Sequence, residues 1–374
     1  MNYFVKGIFY DQLIRVEKML EVLQSPTLNS EIDKDFLGKT VDMLLELQTE
    51  MKELINSEDL DIESLAQNNI IKYNTYYERL QTIELFRYLV IINYGEPEIY
   101  FKKKVSRIYD EINCFQKTPI ITTISNSESY YWALPSYDII AVPAGEEKNL
   151  LNLPDLFHEM GHLIYNQYEN YLKGTIEDNI NKYYQDESKR VFYEQRPVSL
   201  IEFYREKNAW WISSWVMEFT CDLIATYLVG PAYAWTNLKL TTLSSGKNRI
   251  YHDSPSHPSD EARMRGIFYM LQKMGHLDEE KQIQESWEKF LAATNNPIPS
   301  NYMSIFPQHI IQQLADFAYD GCKSIGLVLY SDQKTKFSAT ITRILNSAWE
   351  KVFVSPDAYK RWESEIINEL RQQI

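Results

Sequence analysis

The sequence predicts a mainly α-helical protein with one small β-sheet, flanked by N- and C-terminal helical regions. Three observations support this fold class. Only 12 of the 374 residues are Gly and 14 are Pro, too few for a turn-rich β protein. Apolar residues recur at helical spacing through most of the chain, and β-branched segments cluster in one stretch, 119–143. Hydrophobic residues make up 44 % and charged residues 24 %, as in a globular protein with a sizeable core.

The N-terminal helical region is predicted to cover residues 1–112. Apolar residues recur there at three- and four-residue intervals, which is the pattern of helices that bury one face. Ser57 precedes two acidic residues and is a candidate break between two helices. A further apolar-periodic segment, 76–94, is predicted to end at Gly95.

A second region, 113–276, is predicted to contain the sheet and the functional site. Its segments 119–124 and 137–143 are short, β-branched and bounded by turn residues, so both are predicted strands. A helix is predicted to begin near Pro154, because proline suits a first helical turn. The polar segment 177–196 is predicted to be a loop. Apolar periodicity predicts further helices over 199–229 and 258–275 and, in a C-terminal helical region of residues 277–374, over 283–293, 309–323 and 359–373.

The charge balance limits the kinds of partner that the chain can bind. The net charge is −14, from 38 basic and 52 acidic residues. Nucleic acids and anionic membrane surfaces call for a basic face. No nucleic-acid partner is therefore expected.

The cysteines and the apolar stretches predict a cytoplasmic chain without a membrane span. The three cysteines lie far apart, at Cys114, Cys221 and Cys322. They form no disulfide framework, and such a low, odd count suits a reducing compartment. The N-terminus lacks the pattern of a signal peptide. The most apolar stretch, 209–235, is interrupted by Glu218 and Asp222, so it is predicted to be a buried helix.

The segment 158–162, His-Glu-Met-Gly-His, is an HExxH motif on the helix predicted from Pro154. Positions four apart share one helix face, so His158 and His162 can reach a single metal ion. Glu159 lies beside them and can take a proton from a water molecule on the metal. Zinc suits such a site, because it accepts nitrogen and carboxylate donors and keeps one position open for water.

Two acidic residues, Glu218 and Asp222, lie four apart on the apolar helix predicted over 199–229. Carboxylates in such surroundings are costly unless they are paired or bind a metal. A buried salt bridge is the alternative to metal binding. With HExxH present, we predict that Glu218 is the third ligand and that Asp222 accepts the N–H of a liganding histidine, which sets its tautomer.

A third candidate element is His257, which precedes Pro258 and a predicted helix. A histidine in this place can donate to an oxyanion that develops during a reaction. A capping or surface histidine is the alternative, and Tyr251 and His252 are nearby candidates for the same role.

The order of these elements resembles that of gluzincin peptidases. The chain has HExxH, then ExxxD on a later helix, then His-Pro with an Arg five residues beyond the Pro, at Arg263. It is most similar to the CAAX prenyl endopeptidase and HtpX-like family. The resemblance covers roughly residues 138–274 and implies a zincin-like metallopeptidase core.

The resemblance also implies a role for each site residue. Three residues would bind Zn²⁺: His158, His162 and Glu218. Glu159 would be the general base, and His257 would assist the transition state. Asp222 would correspond to the aspartate that supports a liganding histidine, and Arg263 to the structural arginine after His-Pro.

The predicted function is hydrolysis of peptide bonds in a peptide or protein substrate by a zinc-dependent metallopeptidase. The resemblance further implies that Ile139–Val142 is an edge strand that pairs with an extended peptide, and an ordinary internal strand is the alternative. One alternative is a helical regulatory or interaction protein that retains a zinc site with little or no turnover. The other is a metal-dependent hydrolase that acts on a non-peptide bond. The intact Glu159 argues against the first alternative, because a purely structural site needs no general base.

Overall fold

The computed structural model describes residues 2–114, 117–125, 130–244 and 250–373. Helices dominate this part of the chain, and three short strands form a single sheet within it. The predicted fold class, mainly α with a small β-sheet, is therefore confirmed.

Five helices form the N-terminal part of the chain, and the first four pack into a hydrophobic cluster of their own. They are α1 Asn2–Leu23, α2 Lys34–Asn56, α3 Ala66–Ile83, α4 Leu89–Ile92 and α5 Glu96–Ile112, with a π-helical turn, Glu84–Tyr88, before α4. Asp33 caps α2 by accepting a hydrogen bond from the Phe36 amide at 2.9 Å. Ser57 follows the last turn of α2, as predicted. The cluster is built from residues of α1 to α4 and of the segments that join or follow them, with Ile120 and Ile139 from the sheet, whereas the buried apolar residues of α5 belong to a second cluster.

The sheet lies between this cluster and a larger one. Strand β1 Ile120–Ser125 pairs in parallel with β3 Ile139–Pro143, and β2 Trp132–Leu134 pairs antiparallel with the other side of β3. Ile139 belongs to the N-terminal cluster and Ile140 to the larger one, because successive side chains of a strand point to opposite faces. The two predicted strands are present. β2 was not predicted, because three residues are too few to display an alternating pattern.

The prediction that Ile139–Val142 is an edge strand is wrong. β3 is the central strand of the order β1-β3-β2, and all five of its residues are buried. A continuous apolar run of this kind is typical of a strand that is covered on both faces. Within the part of the sheet that the structure describes, β1 and β2 are the edges.

The remaining helices surround the second and larger hydrophobic cluster. They are α6 Leu156–Leu172, α7 Ile176–Tyr193, α8 Val198–Trp210, α9 Val216–Val229, α10 Pro231–Ser244, α11 Asp260–Met274, α12 Leu277–Thr294, α13 Tyr302–Ile305, α14 Gln308–Ser324, α15 Ile341–Val354 and α16 Pro356–Gln373. Helices from both predicted regions, 113–276 and 277–374, contribute to this one cluster. The division into segments 1–112, 113–276 and 277–374 stays a prediction.

The prediction of a loop over 177–196 is wrong, because most of this segment is α7. Its apolar stripe is narrow: Ile180, Tyr184 and Val191 are buried, while most of the other positions are polar and at least partly exposed. These spacings of four and seven residues define one helix face. The polar character of the other faces hid this signal in the sequence.

The stretch Val198–Val229, formed by α8, a π-helical turn and α9, is long and apolar enough to cross a membrane by length and composition alone. Of its most apolar window, 78 % is buried inside the fold. The prediction of a buried helix in this stretch agrees with this packing.

Candidate metal centre

Helix α6 brings the two histidines of the HExxH motif together. A 3₁₀ turn, Leu153–Asp155, leads into α6, and Pro154 lies in that turn. His158 and His162 lie one helical turn apart, and their Nε2 atoms are 3.2 Å from each other. Both side chains are largely buried, with exposed fractions of 7 % and 13 %. The two imidazoles therefore present nitrogen atoms to one common point.

Helix α9 crosses α6 at very close range, and this contact brings in the third side chain. Gly161 faces Cys221, and a Cβ atom at Gly161 would lie only 3.0 Å from the Cys221 Cα atom. The missing side chain lets the two helix backbones approach. Glu218, three residues before Cys221 on α9, is thereby placed against the histidines.

The carboxylate of Glu218 completes a group that could hold a metal ion. Its Oε2 atom lies 3.5 Å from His158 Nε2, and its Oε1 atom lies 3.7 Å from His162 Nε2. One donor atom from each of the three residues lies within 4.8 Å of the others. Glu218 Oε2 is buried and accepts no hydrogen bond from any described residue. A buried acceptor in this state calls for a partner such as a cation.

Asp222 contacts the His158 ring on the side opposite to Glu218. His158 Nδ1 lies 2.9 Å from Asp222 Oδ1, so Nδ1–H donates to the carboxylate and Nε2 is the ring nitrogen that faces Glu218. Arg263, on α11, donates two hydrogen bonds of 2.7 Å to the Asp222 carboxylate. Burial alone would raise the pKa of Asp222, but Arg263 and His158 together hold that pKa well below its usual range.

Sequence reasoning missed Tyr233 as a member of this network. Its hydroxyl donates to Asp222 Oδ1 at 2.6 Å and lies 3.3 Å from His158 Nδ1. Tyr233 is on α10, and Gly230-Pro231 separates it from the helix of Asp222. No periodic pattern spans such a break, so the sequence carried no signal for this contact.

Glu159 is a buried acid without a hydrogen-bonded partner in the described parts of the chain. Its exposed fraction is 6 %. Burial raises the pKa of Glu159 to about 8, assisted by the charges of Asp155 and Glu218 and opposed by His158. Asp155, which sequence reasoning also missed, lies three residues before His158, and burial raises its pKa to about 6.

Burial has the opposite effect on His162. It lowers the pKa of His162 to about 4, because the charged imidazolium is disfavoured away from water. The ring is therefore neutral near pH 7. A neutral imidazole offers the lone pair that a metal ion requires.

His257 lies at the mouth of this site. Its Nε2 atom is 3.9 Å from Glu218 Oε2, and 60 % of its side chain is exposed. Together with His252 and Arg263, it lines a cleft of ≈ 490 Å³. Of the rival candidates, Tyr251 packs edge-to-face on Tyr302, 5.2 Å between ring centroids. The structure thus brings His257 to the predicted ligands.

The predicted site residues converge, although they come from three separated segments. His158, Glu159 and His162 lie on α6, Glu218 and Asp222 on α9, and His257 and Arg263 at or near the start of α11. Comparisons with protein-family models, curated proteins and solved structures found no match to this chain. The resemblance to gluzincins therefore depends on these residues alone and stays a prediction.

Proposed function

We propose that the chain is a zinc-dependent metallopeptidase of the gluzincin type, which hydrolyses peptide bonds. One observation carries this proposal. The buried carboxylate of Glu159 has no hydrogen-bonded partner among the described residues, yet it lies close enough to His158 and Glu218 for their charges to shift its pKa. An isolated buried acid costs stability. A site that binds a metal for structure alone has no use for it, whereas a general base at a hydrolytic centre has this position and environment.

Zinc fits the three donors. Two imidazole nitrogens and one carboxylate, with a further position left open, form a ligand set of catalytic zinc sites. Donors at ~2.0–2.1 Å from a tetrahedral ion lie about 3.3 Å from one another. The two histidine Nε2 atoms are 3.2 Å apart, Glu218 Oε2 lies 3.5 Å from His158, and Glu218 Oε1 lies 3.7 Å from His162, so the donors lie near this spacing. The unpaired Oε2 atom of Glu218 is also the kind of buried acceptor that a cation would satisfy.

The chemistry follows from the positions of the side chains. When bound, zinc would acidify a water molecule and polarise the carbonyl group of the scissile bond. Glu159 would take the proton from the attacking water and return it to the leaving amine. His257, exposed at the mouth of the site, would donate to the oxygen that becomes negative. Asp222 and Arg263 would keep the His158 ring in the required tautomer.

The sheet suggests where a peptide would bind. β2 contacts α6 and is an edge of the sheet as described, so it has main-chain groups to offer an incoming strand. We place the extended substrate on β2, and not on Ile139–Val142 as the sequence predicted. Main-chain pairing of this kind tolerates many substrate sequences.

The metal assignment is tested first. Elemental analysis of the native protein should find one zinc per chain, and His162→Ala should abolish it. Zinc retained at full stoichiometry in the His158→Ala/His162→Ala double variant would refute the ligand assignment.

Activity is tested with a variant that keeps the metal. Glu159→Gln should retain zinc and the fold but lower turnover by at least ~10²-fold, as expected for loss of a general base. N-terminal proteomics on cells that express the wild type or Glu159→Gln would identify cleaved substrates. If both samples show the same cleavage products while zinc is bound, the regulatory alternative is favoured over the enzyme.

A further inference from the structure

A second cavity, on the N-terminal side of the sheet, is unrelated to the metal centre. It lies between α2, the π-helical turn that carries Arg87, and the residues that precede β1 and β3. None of the metal-centre residues lines it. Its volume is ≈ 100 Å³, well above the ~10–15 Å³ that a single water molecule needs on the same measure. That is enough for one small ion of four or five heavy atoms.

The inner wall of this cavity is Arg87, a buried cation without a carboxylate partner. The residue is 5 % exposed. Its Nε atom donates to Thr40 Oγ1 at 2.9 Å and its Nη2 atom to the Phe36 carbonyl at 3.0 Å. The guanidinium also lies over the Phe36 ring, at 4.1 Å, and 5.5 Å from the Tyr137 ring. All of these partners are neutral, and Arg87 forms no ion pair with a described residue.

One edge of the Arg87 guanidinium is left without a partner. Nη1 donates no hydrogen bond to the described residues, and Arg87 lines the cavity. Burial lowers the pKa of Arg87, which shows the cost of keeping this charge away from water. Such a charge is stabilised when a negatively charged acceptor receives a hydrogen bond from the free Nη1 atom of the guanidinium.

The rim of the cavity adds cations and hydroxyl groups. Lys39, Lys117, Thr118 and Ser136 line it. Two carboxylates, Asp35 and Asp138, line it as well, and both are exposed. Asp35 is already paired with Lys39 at 3.0 Å, and Lys117 pairs with Asp33 at 3.0 Å. The charged side chains that line the cavity are therefore three cations, Arg87, Lys39 and Lys117, and two carboxylates, which leaves one positive charge uncompensated.

We propose that this cavity is a binding site for a free inorganic oxyanion of the size of phosphate or sulfate. Arg87 Nη1 would donate a hydrogen bond to the ion from the inner wall, and Lys39 and Lys117 would approach the ion from the rim. The planar fork of arginine suits an oxyanion better than a spherical halide. The site is independent of the proposed peptidase activity, because it shares no residue with the metal centre.

Binding is measured by calorimetric titration of the metal-depleted full-length protein with sodium phosphate and sodium sulfate. Metal depletion keeps the anions from binding at the metal centre, and sodium chloride holds the ionic strength constant. We expect saturable binding of one oxyanion per chain and none of chloride. Loss of a charge-assisted hydrogen bond weakens affinity by roughly 10–100-fold. Arg87→Gln and the double variant Lys39→Gln/Lys117→Gln should each show a loss of this size.

Lys52→Gln is the matched control. Lys52 also pairs with a carboxylate, Glu17, at 2.9 Å, but it does not line the cavity. The affinity of the Lys52→Gln variant for phosphate should equal that of the wild type. If Arg87→Gln fails to fold, the double lysine variant decides the question.

The position of the ion is tested by soaking crystals in selenate. An anomalous peak beside Arg87 Nη1 would support the proposal. It is overturned by any of three results: no saturable binding, wild-type affinity in the double lysine variant, or selenate bound only elsewhere.

Discussion

Gly161→Ala tests the contact that assembles the metal centre. The added Cβ atom would lie 3.0 Å from the Cys221 Cα atom and 3.2 Å from both its Cβ and carbonyl oxygen atoms. Carbon atoms in contact normally stay ~3.5–4.0 Å apart. The obstacle is the backbone of α9, which cannot rotate away as a flexible side chain does. Helices α6 and α9 must therefore separate by a few tenths of an ångström to relieve the contact.

This displacement should reduce both stability and metal affinity. Overpacking of a tight core costs ~1–3 kcal/mol in the free energy of unfolding, and replacing a helical glycine by alanine offsets ~0.5–1 kcal/mol of that cost. Glu218 moves with Cys221, because both lie on α9, whereas His158 and His162 move with α6. A metal site must hold its ligands within ~0.5 Å of the productive geometry, so a separation of a few tenths of an ångström uses up much of that tolerance. We expect the affinity for zinc to fall by at least ~10-fold, the lower end of the effect of disturbing a ligand's support.

The assay combines thermal denaturation of the metal-depleted protein with zinc titration against a chelator of known affinity. Gly38→Ala is the control, because nothing lies within 4 Å of a Cβ atom at Gly38, which is exposed on α2. That change should stabilise the protein by ~0.5–1 kcal/mol and leave zinc affinity unchanged. Wild-type stability and zinc affinity in Gly161→Ala would show that the approach of α6 to α9 does not set the ligand distances.

Three further predictions concern single side chains. Asp222→Asn should weaken zinc affinity by ~10–100-fold in chelator competition, and an unchanged affinity would contradict its role in supporting His158. His257→Phe should lower turnover by ~10²–10³-fold with zinc retained, whereas Tyr251→Phe and His252→Phe should stay active. The reverse pattern would assign the donor role to Tyr251 or His252. In the folded metal-free protein the pKa of Glu159 is about 8, above its ordinary 4.5. Between these pH values the folded state binds more protons than the unfolded state, so stability falls as the pH rises from 4.5 towards 8. Glu159→Gln should therefore raise the melting temperature of the metal-free protein at pH 8 and leave it nearly unchanged at pH 4.5, and equal shifts at both pH values would refute this.

Local patterns were enough for much of the architecture. The fold class, two strands and most of the long helices follow from apolar periodicity and from residues that begin or end helices. The failures have separate causes. α7 was predicted as a loop because its buried stripe is only one residue wide per turn, and β2 is too short for any pattern. The edge position predicted for Ile139–Val142 was wrong because pairing between distant segments leaves no trace in either segment alone.

By itself, the sequence determined the chemistry that is available: two histidines one helical turn apart, an acid between them, and a pair of acids on a later apolar helix. These are short-range relations, and helix geometry converts their spacing directly into proximity. Only the tertiary structure decided that Glu218 meets both histidines, that Tyr233 and Arg263 share the Asp222 carboxylate, and that β2 is a sheet edge beside α6. Those distances depend on how helices and strands pack across many residues of chain. At Gly161, for example, that packing is set by the fit of one helix backbone against another.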